Sequence, residues 1–306
     1  MYAALTFFGN GKLICKSSSA ADNGKTVSVT DGKKSWSAIM TDGVCTFTLP
    51  GKQKYTVCLL NGDNAEYATE VFFGFGECKE LEVGMDKTTW KGLKAILNAG
   101  LETEMLAVGD QISATVAGET QVFDIVHVDY RPSVYGRNII LAKHTLLPEG
   151  RQMRTTPTNA GGYKSTLIAQ YLDDTYYNSL PSDMKSVITK MVFKGTIGGN
   201  SKTLQDEEHM VWIPLESNLF NSITQGFSEE ISLGGNEQFA YFATTGNRIR
   251  TLGNTNTAAV YWLATPESGS GVDSFATVNV QGTSAHTQSQ GTNGVLPCFM
   301  IAADAE

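Results

Sequence analysis

No lysine or arginine follows Arg250, and the 306-residue chain carries a formal net charge of −8. Binding to a phosphate backbone needs clustered basic side chains, so nucleic acid is not an expected partner. No apolar run reaches the roughly eighteen residues that a membrane-spanning helix needs, and no membrane insertion is expected. The opening stretch MYAALTFFGNGKLICK has neither a basic leader region nor a cleavage pattern, and it reads as a strand rather than a signal peptide. The five cysteines, at positions 15, 45, 58, 78 and 298, form no CxxC pair. They read as buried thiols of a protein made in a reducing compartment, not as disulfides or metal ligands.

Catalytic signatures are missing as well. His127, His144, His209 and His286 are scattered, with no HExxH spacing. His127 lies in an apolar strand and reads as a satisfied sheet histidine, whereas His286 lies in a polar stretch and reads as an exposed contact residue. There is no GxSxG elbow and no phosphate-binding loop, and the glycines of GFGE and GGN read as turns. The acidic groups QDEEH and FSEE have no partner motif and read as solvated loops. Asp173-Asp174 and Asp206-Glu207-Glu208 lack the ligand spacing of a calcium loop. The expectation is a protein that is not an enzyme and uses no cofactor or metal.

What is abundant is strand and turn. Residues 1–85 alternate apolar and polar side chains, broken by Asp31-Gly32, Asp42-Gly43 and Pro50-Gly51. Such spacing predicts a small antiparallel β-sandwich with a core of Val27, Val29, Trp36, Val44, Phe47, Leu49, Tyr55, Val57 and Leu59. After a boundary near residue 85 the period changes. DKTTWKGLKAILNAGLE places Trp90, Leu93, Ile96 and Leu97 on one helical face behind Thr88 or Thr89. QVFDIVHVD and NIILAKH read as paired strands. A second helix is predicted in YKSTLIAQYLDDTYYNSL, with Leu167, Ile168, Tyr171 and Leu172 on one face behind Ser165. Pro181 marks another helix start. EEHMVWIPLE and FAYFATTGNRIRTLG return to short strands and loops.

The last stretch is the most unusual. Tyr261-Trp262-Leu263 and the run from Val295 to Ile301 enclose some thirty residues of mostly small polar side chains. The frame Tyr261, Trp262, Leu263, Thr265, Pro266, Phe275, Val278, Gly282, Gly294, Val295, Pro297, Phe299 and Ile301 resembles the closing segment of C-type-lectin-fold proteins. In particular it resembles the variable proteins of diversity-generating retroelements and their phage tail-associated relatives. The resemblance covers roughly residues 86–306, and the N-terminal module resembles small immunoglobulin-like or prealbumin-like sandwiches. It departs at Ala264, where relatives often have Arg, and at Leu296, where they often have Ala or Arg. The calcium-ligand tripeptides of sugar-binding lectins are absent, and so is the reactive cysteine pair of formylglycine-generating enzymes. Neither activity is carried over.

The resemblance implies a mainly β chain in two domains, a sandwich at 1–85 and an α+β C-type-lectin-like domain at 86–306 with a variable segment at about 264–293. Apolar anchors at both ends hold such a segment rigid, so outward side chains can be exchanged at little cost. Many of its residues, among them Ser284, Thr287 and Ser289, are types that adenine-directed mutation of Asn codons reaches, whereas Glu267, Gln281, Gln288 and Gln290 are not. An ordinary polar surface loop contains the same residues, and that alternative stays open. The expected contact residues are Thr265, Ser268, Ser270, Val272, Asp273, Ser274, Thr283, Ala285, His286 and Gln288. The implied role is recognition of a bacterial cell-surface protein or glycan by a phage tail-associated protein. It would be made in the host cytoplasm and assembled with other tail proteins, its oligomeric state open. The rivals are a bacterial surface adhesin with a fixed ligand and an enzyme on the formylglycine-generating scaffold.

Overall fold

A computed structural model describes residues 10–17, 22–51, 53–61, 64–74, 76–82, 86–253, 255, 257–269 and 272–304. The first apolar run of the chain and the site residue Ser270 lie outside the described residues. The chain is mainly β, with 39% strand against 21% helix. It divides into two compact units, Met1–Leu101 and Glu102–Glu306. The division falls after the first long helix, not before it at residue 85.

In the first unit β1 (Asn10–Lys16), β4 (Val44–Pro50) and β7 (Cys78–Glu82) form one sheet in the order β4-β1-β7. The other sheet joins β2 (Thr26–Thr30), β3 (Ser35–Ile39), β5 (Gln53–Asn61) and β6 (Asn64–Phe73) in the order β3-β2-β5-β6. β1, β2, β4 and β5 bury alternate side chains, and Leu13, Cys15, Phe47 and Leu49 of one sheet join Val27, Val29, Tyr55, Val57 and Leu59 of the other in a single cluster, with Trp36 and Leu81 partly buried against it. The Asp31-Gly32 turn joins the antiparallel pair β2 and β3, whereas Asp42-Gly43 and Pro50-Gly51 carry the chain from one sheet to the other, and β1 pairs with β7 in parallel. Val44 is 41% exposed, contrary to expectation. Side chains alternate along a strand, so with Cys45, Phe47 and Leu49 inward Val44 must face out. Cys78 is exposed and Cys58 half-buried, so the reading of all five thiols as buried does not hold. The helix Trp90–Ala99 starts at Thr89, whose hydroxyl accepts from the Gly92 amide at 3.1 Å. It ends at Gly100 with φ 71°, a left-handed turn that glycine adopts without strain.

In the second unit β8 (Gln111–Val116), β9 (Glu119–Val128), β10 (Asn138–Lys143) and the closing β16 (Cys298–Ala302) form a sheet ordered β16-β10-β9-β8, all antiparallel. β11 (Met191–Thr196) pairs with β12 (Leu204–His209), and β13 (Tyr261–Pro266), β14 (Ser274–Val278) and β15 (Ser284–Gln288) form the sheet that carries the polar segment. β10 and β16 are buried along their whole length, which is why both read as unbroken apolar runs. Two local expectations fail. FAYFATTGNRIRTLG forms 3₁₀ turns at Ala240–Ala243 and Thr245–Arg248 instead of strands. A three-residue turn puts the buried Phe239 and Phe242 on one side, a spacing that the two-residue period of a strand does not give. The predicted helix at 166–179 is capped by Thr166, not Ser165. It widens into a π-helix over Tyr171–Tyr176, and its Leu167 is exposed.

Candidate ligand-binding face

The polar segment is pinned at both ends, as its apolar anchors require. Trp262 is buried and its indole N–H donates to the Arg151 carbonyl at 2.7 Å, while the buried Tyr261 hydroxyl donates to the Arg248 carbonyl at 2.8 Å. Every residue from Val295 to Ile301 is buried. Between these anchors the chain makes one hairpin. β14 is wholly buried, and β15 is the edge strand of its sheet. The hairpin turns through Gly282 at φ 77°, with Asn279 Oδ1 accepting from the Gln281 and Thr283 amides at 3.0 Å each.

The bonds at the two ends of the hairpin fix which way its backbone points. Asn279 N–H donates to the Thr283 carbonyl at 2.9 Å and Ser289 N–H to the Asp273 carbonyl at 2.8 Å. In an antiparallel ladder bonded and non-bonded pairs alternate, so Thr277 with Ala285 and Phe275 with Thr287 are the bonded pairs. The backbone groups of Ser284, His286 and Gln288 therefore point away from β14. Of these, the Gln288 carbonyl accepts from the Gly291 amide at 2.7 Å.

A loop at 224–226 closes one side of β15, and a buried carboxylate holds it there. Glu216, at the start of the short helix Glu216–Phe220, is 0% exposed. Its Oε1 accepts from the Thr224 amide and hydroxyl at 3.0 and 2.8 Å and from the Ser284 hydroxyl at 2.6 Å. Its Oε2 accepts from the Gln225 and Gly226 amides at 3.1 and 3.2 Å. Charge-assisted bonds of this kind are stronger than neutral ones and do not let a loop drift. The loop then reaches the hairpin through Gln225, whose Oε1 lies 2.8 Å from His286 Nδ1, and through its carbonyls, which accept from the Ser268 hydroxyl at 2.9 Å.

The third wall, formed by 267–269 and 272–273, is tied from below. Asn159 Nδ2 donates to the Glu267 and Ser274 carbonyls at 3.0 and 2.9 Å, and its N–H donates to the Val272 carbonyl at 2.7 Å. Thr265 lies deeper still. Its hydroxyl donates to Glu230 Oε2 at 2.7 Å and accepts from the Glu216 amide at 3.0 Å. Glu230 also accepts from the Thr196 amide and hydroxyl, each at 3.0 Å. Burial pushes the Glu230 carboxyl up to about 7, and its hydrogen bonds only partly oppose this.

Two of the expected contact residues are therefore misplaced. Thr265 is 0% exposed and Ser274 4% exposed, because both point into the layer under the hairpin, and neither can reach a ligand. Val272, Thr283, His286 and Gln288 are exposed, while Ser268, Asp273 and Ala285 are half-buried. Asp273 Oδ2 accepts from Gln288 Nε2 at 3.1 Å, so these two share one patch. Nothing in the residue order marks Thr224 and Gln225, more than forty residues upstream of the face they complete. A buried glutamate followed by a polar turn has no motif of its own.

Residues 135–303 match the family described as Domain of unknown function (DUF6273), a span of more than half the chain. The chain belongs to the DUF6273 family. None of the curated proteins matches it. The DUF6273 span holds the whole face, together with Glu216, Glu230 and Asn159.

The second unit buries further charges, two of which correct the reading of solvated acidic loops. Glu207 and Glu230 are 0% exposed, not solvated. His209 lies between Asp173, 2.6 Å from its Nδ1, and Glu207, 3.2 Å from its Nε2. Burial lowers its affinity for a proton, but the hydrogen bonds and charges of the two carboxylates outweigh burial and raise it. Arg250 Nη1 meets the buried Asp124 at 2.9 Å, and His144 Nδ1 approaches the same carboxylate at 2.9 Å. His127 is half-buried and accepts from the Ala240 amide at 3.0 Å, and burial lowers its pKa. Among the described residues no group of three or more His, Cys, Asp or Glu is arranged to hold a metal ion. Cys298 is fully buried in β16, and burial raises its thiol above the usual range.

Proposed function

We infer that this DUF6273 protein recognises a ligand without catalysing a reaction, through the face built by β15, the 224–226 loop and the 267–273 loop. The observation that carries this reading is the construction of the face. Exposed side chains at His286 and Gln288 stand on β15 and that of Thr283 on the turn before it, and the segments beside them are held by buried groups. A rigid support with exchangeable polar tips lowers the ordering cost of binding. The outward backbone groups of Ser284 and His286 add a second, sequence-independent way to hold a ligand.

In this reading the second unit is a C-type-lectin-like domain, and the first, two-sheeted unit is an immunoglobulin-like spacer. The ligand is a protein or glycan of a bacterial surface, and the carrier is a phage tail. A bacterial adhesin with the same face and a fixed ligand is the second reading, favoured by the tie between Asp273 and Gln288, which spends two contact residues on each other. The test is binding of the labelled full chain to isolated bacterial cell envelopes. The variant Thr283→Ala/His286→Ala/Gln288→Ala is expected to lose at least roughly tenfold in affinity with an unchanged melting temperature, since its targets are exposed. Unaltered envelope binding by that variant would remove the face from the account.

A further inference from the structure

Away from this face, two cavities share one residue, Arg151. The larger, of about 320 Å³, is lined by Arg151, Tyr171, Tyr176, Gln121, Glu119 and Glu149 among others. The smaller, of about 220 Å³, is lined by Gly150, Arg151, Gln152, Leu167 and Thr292. The first lies within the size range of small-molecule sites.

Arg151 is held like a fixed tool. Its N–H donates to the Asn293 carbonyl at 2.8 Å, and its own carbonyl accepts from the Asn293 amide and the Trp262 indole. Gly150 permits this approach, because a Cβ there would sit 2.9 Å from the Thr292 methyl and 3.1 Å from the Asn293 carbonyl oxygen. The guanidinium lies 3.4 Å from the centre of the Tyr171 ring. Its Nε is buried without a hydrogen-bond partner, and among the described residues no carboxylate forms an ion pair with it. A cation locked in place with unspent donors at a cavity wall needs an outside acceptor.

The π-helix supplies the wall next to Arg151. In an α-helix residues five apart lie on different faces, but a π-helix bonds i to i+5 and brings them round to the same one. Tyr171 and Tyr176 are five apart, and both line the larger cavity. Asp173, between them, is anchored by His209 and by the Met210 amide at 3.1 Å, which holds the widened turn in place. Tyr176 donates to Gln121 Oε1 at 2.8 Å, so the far side is fixed as well.

We propose that the paired cavities around Arg151 bind a polyhydroxylated monocarboxylate, the chemistry of a uronic acid. The single guanidinium takes the carboxylate as a fork. Glu119, Glu149 and Gln121 accept from hydroxyls, and the tyrosine rings cover the apolar face of the ring. The two glutamates at the same cavity repel any anion, a dianion such as phosphate more strongly than a monocarboxylate, whose single charge Arg151 neutralises.

The test uses the full chain and D-glucuronate, D-glucose and inorganic phosphate as probes, with binding followed by ligand-observed NMR. Glucuronate is expected to bind at least about tenfold more tightly than glucose, and phosphate at equal concentration to leave it in place. Arg151→Gln should erase the preference for glucuronate over glucose. Should Arg151→Gln lower the melting temperature, Tyr171→Leu, which releases the guanidinium from its stack, should weaken glucuronate binding by roughly tenfold in folded protein. The variant Thr283→Ala/His286→Ala/Gln288→Ala should bind glucuronate as the unaltered chain does, which separates this site from the polar face. Equal binding of glucose and glucuronate, displacement by phosphate, or retained preference in Arg151→Gln would each overturn the assignment.

Discussion

The two units solve the problem of holding a β-structure together in different ways. The first is centred on one apolar cluster, and among its described residues only Asp22 is a buried charge. The second buries Asp124, Glu207, His209, Glu216, Glu230 and Arg250 beneath and beside its sheets. Hydrophobic burial is non-directional and suits strands that a hydrogen-bonded ladder already aligns. A loop has no ladder. Where the second unit must keep loops in one place, at 224–226 and 267–274, it uses buried carboxylate and amide groups whose bonds have direction.

Substitutions that attack each device should break that contrast in different ways. The largest losses are expected from Arg250→Ala in the second unit and Phe47→Ala in the first, each roughly 3–5 kcal/mol in denaturant unfolding. The causes differ: the first strands the buried Asp124 carboxylate, the second opens a cavity. Restoring neutrality with Asp124→Asn in the Arg250→Ala background should recover part of the first loss, and no companion change of charge should rescue the second. A stability unchanged by Arg250→Ala would mean that Asp124 is not held in the dry environment described.

Next in size is Glu216→Ala, expected to cost on the order of 3 kcal/mol, because the Thr224, Gln225 and Gly226 amides lose their acceptor. Hydrogen exchange at those amides should rise with it, and slow exchange in the variant would show that something else secures the loop.

Glu230 gives a smaller effect, visible through pH. Its folded pKa of about 7 lies above the ordinary value of 4.5, so the folded state holds the proton more tightly. Stability from this group is full below about pH 4.5 and is lost as pH rises to 7, about 2 kcal/mol of it between pH 5.5 and pH 7. The raised pKa of His209 acts with the same sign, its contribution being lost as pH rises through the folded value. Melting temperature should therefore decline from pH 5.5 to pH 8, and Glu230→Gln should flatten part of that slope. An equal slope in the variant would assign the effect elsewhere. The smallest change sharpens the account of the first unit: Val44→Thr on the outer face of β4 should alter stability by no more than about 0.5 kcal/mol.

Much of the fold was legible from residue order. Val27, Val29, Phe47, Leu49, Tyr55, Val57 and Leu59 sit in the core that their alternation implies, and Val44 failed only because its odd spacing from Phe47 was overlooked. The capped helix behind Thr89, the β9–β10 pair and the closing strand β16 follow from period and punctuation in the same way. The polar face was legible in outline, as a segment between two apolar anchors. Its composition was not: Thr265 and Ser274 turned inward, and Thr224 and Gln225 arrived from another part of the chain.

The sequence by itself determined the alternation of the first unit's strands, the capped helix behind Thr89, and that the closing segment has apolar ends and a polar middle. These are local properties, set by spacings of two to five residues along one chain direction. Only the tertiary structure decided which carboxylates are buried, which loops flank β15, and that Arg151 stacks on Tyr171. Glu216 and Ser284, Glu230 and Thr265, and Arg250 and Asp124 are each pairs far apart in sequence. Whether such a group is solvated or paired depends on what the fold brings to it, and no periodicity along the chain encodes that meeting.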